Sequence, residues 1–233
     1  GNVQAFRWTD GRRIFAARAV DGVHIPGVFA TPVAADLDRD GWQEIIVPSW
    51  DHWLHVWHAR GGGNARGFPV FLKDTSWSSP AVADIDRDGW LDIVFGYDCD
   101  GAPGQPCHPA RGGYLTAVRH DGRVKAGWPR FIRDQVVWSS PALVDLTGDG
   151  RLDVVVGTGS YPMAGGRSVY AFRSDGRPLW RTAVGGRTMS SPAVGDSPAT
   201  DVPRSRSWRT TGSFTCCTAT AGCATPNACP TRS

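Results

Sequence analysis

The chain has 233 residues, a formal net charge of +3, 41% hydrophobic and 20% charged residues. That apolar content with so little net charge excludes a disordered chain, and no run of about 18 apolar residues supplies a transmembrane helix. The excess charge lies beyond Asp196, where Arg204, Arg206, Arg209 and Arg232 face Asp201 alone, so residues 1–196 are balanced and give no electrostatic reason for binding nucleic acid or a membrane surface.

The chain starts at Gly1 without the apolar region of a signal peptide, so any targeting segment is expected outside it. Its 29 Gly and 17 Pro are spread throughout, as suits an all-β protein with many turns. Val3–Val20 alternates in polarity around Asp10-Gly11 and reads as a β-hairpin. A repeat then begins. Its first copy runs from Ala30 through Glu44 into Ile45-Ile46-Val47, its second spans 78–96 and its third 139–157. A fourth opens at Ser190 and stops matching after Asp196. The leading aspartates, Asp36, Asp84, Asp145 and Asp196, are 48, 61 and 51 residues apart, the long step reflecting an insertion at 98–112. Each copy is followed by a second alternating pair of segments: Trp53–Leu72, Tyr114–Ile132 and Ser168–Val184. Four short strands in a repeat of about 50 residues are the signature of a propeller blade. The expected fold is all-β, a partial β-propeller of four-stranded blades. Its units are 1–28 (the end of a preceding blade), 29–76, 77–137, 138–188, 189–196 (the start of another) and the tail 197–233.

Between the first two strands of each blade lies Asp-x-Asp-x-Asp-Gly-x-x-Asp/Glu or a close variant. Oxygen ligands at alternate positions wrap a hard cation, and the glycine permits the sharp bend. The predicted calcium ligands of loop 36–44 are Asp36, Asp38, Asp40, the Trp42 carbonyl and Glu44. Those of loop 84–92 are Asp84, Asp86, Asp88, the Trp90 carbonyl and Asp92. Loop 145–153 offers Asp145, Thr147, Asp149, the Arg151 carbonyl and Asp153, and the neutral Thr147 predicts weaker binding there. An EF-hand is excluded because loop position twelve holds Val47, Phe95 or Val156 rather than Glu, and the flanks are strand-like. A metal-free Asp-Gly turn is the competing reading, against which stands the mutual repulsion of four carboxylates within nine residues.

These loops, with Phe95-Gly96 and Val156-Gly157 after them, resemble the FG-GAP/VCBS repeats of integrin-α-like β-propellers over residues 30–196. Val47-Pro48 departs from the Phe-Gly pattern in the first blade. Such propellers usually have seven blades, so the chain resembles a fragment of one. The resemblance implies calcium-binding loops and a role in binding or adhesion, secreted or at a cell surface. The alternative it leaves is an accessory repeat domain of a larger secreted enzyme, a hydrolase or lyase, with catalysis elsewhere.

Cys99 and Cys107 bracket the insertion and read as a local disulfide, with two free thiols as the alternative. His52, His55 and His58 would face alternate sides of a strand, which argues against zinc and for a solvated strand edge. Ser78-Ser79, Ser139-Ser140 and Ser190-Ser191 recur in register before Pro, so they read as structural turns rather than nucleophiles. No catalytic constellation is present, and the chain is not expected to be an enzyme. Trp77 and Trp138 precede the first strands of their blades, with Phe29 and Met189 in the equivalent slots. They share a rim with Asp51, Trp53, Tyr97 and Tyr161, opposite the aspartate loops. That rim is the expected site for a protein or glycan ligand, with blade-to-blade packing the competing role for Trp77 and Trp138.

Residues 197–233 contain no Lys or Glu and carry Cys216, Cys217, Cys223 and Cys229. Back-translated one base earlier, Ser197–Arg204 yields Leu-Ala-Gly-Asp-Gly-Arg-Pro-Glu, which restores the third repeat's loop pattern behind Asp196. The tail therefore reads as a frameshifted fourth blade, or at face value as a disordered segment.

Overall fold

The computed structural model describes residues 1–101, 103, 107–159, 167–184, 188 and 190–194. The tail, Tyr161 and Met189 lie outside the described residues, as does most of the apex of the 98–112 insertion. Among those described there is no helix.

Strands β1 (Asn2–Phe6) and β2 (Arg13–Arg18) form an antiparallel hairpin. Three four-stranded antiparallel meanders follow. The first contains β3 (Val33–Ala35), β4 (Glu44–Pro48), β5 (Trp53–His58) and β6 (Val70–Phe71). The second contains β7 (Ala81–Ala83), β8 (Asp92–Cys99), β9 (Gly112–Arg119) and β10 (Arg130–Arg133). The third contains β11 (Ala142–Val144), β12 (Asp153–Gly157), β13 (Ser168–Phe172) and β14 (Pro178–Ala183). Strands pair in chain order within each sheet, as propeller blades do.

Strand alternation explains how consecutive blades adhere. Side chains of a strand point to opposite faces, and both faces of the second blade are apolar. Ile93 and Phe95 of β8 pack with Ile46, Leu54 and Val56 of the first blade. Val94, between them, packs instead with Val154 and Val156 of the third. Each such fully buried aliphatic or aromatic side chain contributes on the order of 1.5–3 kcal/mol. The β1–β2 hairpin seals the other side of the first blade, setting Val3, Phe15 and Ala19 against Val47 and Trp57.

The recurrent serines have a role beyond local turns: they bond one blade to the next. Ser78 Oγ donates to the Ser139 carbonyl at 2.9 Å, and Ser139 Oγ to that of Ser190 at 3.0 Å. The hydroxyl oxygens of Ser79 and Ser140 accept from the amides of Thr31 (2.8 Å) and Ser79 (3.0 Å). Gly96 and Gly157 follow from the same close approach. A methyl group on Gly96 would stand 2.3 Å from the Val137 carbonyl oxygen, and one on Gly157 2.7 Å from the Thr188 side chain.

His55 corrects the expectation of a solvated strand edge. It lies on β5, a central strand between β4 and β6. It is buried, bonds Asp51 Oδ2 through Nε2 at 2.8 Å and stacks on Trp57.

Candidate metal-binding loops

The connections β3–β4, β7–β8 and β11–β12 carry the three aspartate loops at one end of the sheets. Their backbones bend alike. Arg39, Arg87 and Gly148 occupy the same loop position with φ of 64°, 62° and 74°, and Gly41, Gly89 and Gly150 follow at 87°, 89° and 82°. The leading aspartate holds the bend: Oδ2 of Asp36, Asp84 and Asp145 accepts the amide of Gly41, Gly89 and Gly150 at 3.0, 2.8 and 2.7 Å. Asp40, Asp88 and Asp149 close a second turn onto the amides of Trp42, Trp90 and Arg151. The last acid of each loop, Glu44, Asp92 or Asp153, is buried. Glu44 accepts the Leu37 amide at 2.7 Å and Asp153 the Leu146 amide at 3.0 Å.

The loops differ in what remains for a cation. In the first, carboxylate oxygens of Asp36, Asp38 and Asp40 lie within 4.8 Å of one another. Asp36 Oδ1 is shielded from solvent and accepts no hydrogen bond. An acceptor left bare among converging carboxylates fits a hard cation supplied from solution. Asp38, Glu44 and His58 form an overlapping group within the same distance, with His58 Nδ1 3.0 Å from Glu44 Oε1.

In the second loop Asp84, Asp86 and Asp92 converge comparably, and Asp86 Oδ1, like Asp36 Oδ1, is shielded without a hydrogen-bond partner, so the difference between the loops lies in the cation that each is given. Here an ammonium group from the chain itself enters. Lys125 Nζ lies 2.6 Å from Asp86 Oδ2 and 3.0 Å from Asp92 Oδ2. Burial works to lower the lysine pKa, but the hydrogen bonds that Nζ donates to Asp86 and Asp92 outweigh it and raise the pKa above its ordinary value. Asp86 is held below its usual range, Lys125 overcoming the opposing effect of burial, whereas burial keeps Asp92 above its own.

In the third loop, among the described residues, no three acidic groups meet within that distance. Thr147 Oγ1 is shielded without a hydrogen-bond partner. Burial works to raise Asp145, and the amides of Gly150, Gly148 and Thr147 overcome it and hold its carboxyl below the ordinary value. Burial raises Asp153.

A basic residue at the end of the third strand, or directly after it, faces each loop: His58 meets Glu44, Arg119 meets Asp88 at 3.5 Å, and Arg173 meets Asp149 at 3.3 Å. The indole of Trp42 lies under Arg60, and that of Trp90 lies between Arg39 and His120.

A family profile described as FG-GAP-like repeat matches residues 36–95, and one described as FG-GAP repeat matches residues 137–171. The chain carries FG-GAP repeats. Its FG-GAP blades are similar in fold to solved structures of low sequence identity. The lead-soaked crystal structure of BBS1N in complex with ARL6DN is 15% identical, with a TM-score of 0.50 over 74% of this chain and 48% of that one. The mercury-soaked form gives 16% and 0.50 over 77% and 52%. The biofilm matrix protein Bap1 of V. cholerae gives 18% and 0.37 over 80% and 34%. The FG-GAP chain thus spans about half the length of the first two. No curated protein matches it. Among the described residues no helix is long and apolar enough to cross a membrane.

On the opposite rim, Cys99 and Cys107 are joined in a disulfide. Asp51, expected at a ligand surface, is instead fully buried, because it serves His55. Trp53 is half-buried and donates from Nε1 to Asp21 at 3.2 Å, while Tyr97 stacks on Tyr114 at 5.1 Å. Trp77 touches the rings of Phe29, Trp50 and Trp138, with centroids 4.5, 4.6 and 5.1 Å away, so the aromatic slots of three blades meet. Lys125 had no signal in the loop motif, lying 33 residues beyond Asp92.

Proposed function

We propose that the chain is a calcium-binding FG-GAP propeller module of an extracellular binding or adhesion protein. The observation that carries the calcium reading is the first loop. Asp36, Asp38 and Asp40 converge there, Asp36 Oδ1 lacks a hydrogen-bond partner, and His58 is the basic group that meets the loop's own acids. Asp36, Asp38, Asp40 and Glu44 would hold the ion, which would cancel carboxylate repulsion and fix the bend between β3 and β4. The role is structural. A protein partner is favoured over a glycan because BBS1N, which shares the fold, was solved in complex with a protein, ARL6DN. The disulfide between Cys99 and Cys107 supports an oxidising compartment and hence a secreted or surface location.

The test is thermal unfolding across a calcium titration, with chelator and magnesium as controls. The native chain gains melting temperature with calcium, because an ion bound only by the folded state stabilises it by mass action. Asp36→Ala loses most of that gain. A calcium response equal in the native and Asp36→Ala chains would overturn the reading.

A further inference from the structure

We propose that the second aspartate loop is closed by an internal cation, the Lys125 ammonium, and does not take up calcium. The Lys125 side chain is 6% exposed, and its Nζ bridges Asp86 and Asp92. These are two of the three groups whose oxygens converge in that loop. A calcium ion among those oxygens would sit against a buried positive charge, and like charges at such range repel strongly where solvent is scarce. Arg119 adds a second positive charge at Asp88, 3.5 Å away. The four carboxylates of this loop therefore face two cations from their own blade.

The sister blades show that the lysine is particular to this loop. The amide of Lys125 donates to Ala117 and its carbonyl accepts from Trp128; Ala65 makes the same pair of bonds with Val56 and Phe68 in the first blade. Ala65 brings no charge to Asp38 and Glu44. In the third blade Arg173 and Arg177 pair as Arg119 and Arg123 do, and the residue two places on is Leu179 rather than lysine. A loop with the full acidic motif thus carries its own counter-ion, while the first loop keeps its carboxylates for an ion from solution. The contrast between loops rests on the calcium reading of the first, but the closure of the second can be tested independently.

The experiment counts calcium ions per chain by equilibrium dialysis and calorimetry. It compares the native chain with Asp84→Asn, Lys125→Met and Asp36→Asn. No hydrogen bond or ion pair joins Asp84 to Lys125, so Asp84→Asn removes a carboxylate that a calcium ion there would need and leaves the lysine bridge intact. The count is expected to be unchanged in Asp84→Asn and to rise by one ion in Lys125→Met. Loss of one ion in Asp84→Asn, or no additional ion in a folded Lys125→Met, would overturn the proposal. If Lys125→Met does not fold, Asp84→Asn decides alone. Asp36→Asn reports on the first loop separately. A native chain that binds no calcium, with one ion gained in Lys125→Met, would refute the first-loop reading and support this one.

Discussion

The guanidinium carbon of Arg39 lies 4.4 Å from the ring centroid of Trp90, so the aspartate loop of the first blade reaches onto that of the second. Arg87 continues the pattern. Its guanidinium comes so near Gly150 of the third loop that a methyl group there would stand 2.4 Å from Nη1. Both arginines hold φ near 60°, a region costly for residues with a side chain. The third loop has Gly148 at that position, and no arginine to send onward. Two blades thus accept backbone strain where the side chain links them to the next.

Arg39→Ala should therefore destabilise the chain slightly. A cation–π contact at an exposed site is worth about 0.5–1 kcal/mol, and alanine keeps the unfavourable φ. Chemical denaturation of Arg39→Ala beside Arg39→Lys measures it. Lysine retains part of the stack, so its midpoint should fall between the native and alanine values.

Ser139 couples three segments at once. It is buried, donates to the Ser190 carbonyl at 3.0 Å and accepts the Gly157 amide at 3.2 Å. Ser139→Ala leaves that amide and that carbonyl without these bonds, and an unsatisfied buried polar group costs about 1–3 kcal/mol. Hydrogen exchange should show faster opening of β11 and β12, with β4 and β5 unaffected.

The repeat period, the strands and the loop bends were legible because each depends on residues close in sequence. Asp36, Asp84 and Asp145 each accept an amide five residues on, so a fixed spacing encodes a fixed turn. The partners that complete the loops come from the end of the third strand and the connection that follows it, and only sheet register brings them there. Asp92 pairs with Arg119 across β8 and β9, which carries the following hairpin, and Lys125 with it, back over the loop. The serines were visible as recurrent, yet their bonds span 48, 61 and 51 residues and require packed blades. Asp51 looked available because its neighbours are loop-like, whereas its partner His55 turns inward from a central strand.

Gly96→Ala should be far more damaging than a surface glycine change. The added methyl would meet the Val137 carbonyl oxygen at 2.3 Å and its side chain at 2.4 Å, where the lead-in to the third blade crosses β8. Neither segment can retreat without opening an apolar face, and overpacking of this kind costs about 1–3 kcal/mol or more. Gly63→Ala is the control, since nothing lies within 4 Å of its position. Comparable melting temperatures for the two variants would refute the crossing as the reason for glycine.

Asp98 gives the fold a defined pH dependence. Its Oδ1 is sealed from solvent, and its Oδ2 accepts the Trp138 indole N–H at 2.7 Å. Burial pushes its carboxyl from 3.8 up to about 7, despite the opposing effect of the indole hydrogen bond. Between those values the folded chain holds a proton that the unfolded chain releases. Stability from this group is therefore fully present below about pH 4 and is lost as the pH rises through about 7. Asp74, Asp92 and Asp153 are raised by burial as well and slope the same way, so the native curve alone does not single out Asp98. Asp98→Asn does: it keeps an acceptor for the Trp138 indole and removes the titration. Calorimetric melting temperatures from pH 5 to pH 8 should fall less steeply in Asp98→Asn than in the native chain. The two curves should separate most at the alkaline end, where native Asp98 is charged. Parallel curves across that range would mean that Asp98 is already ionised at pH 5 and that its contact with Trp138 is a charged one.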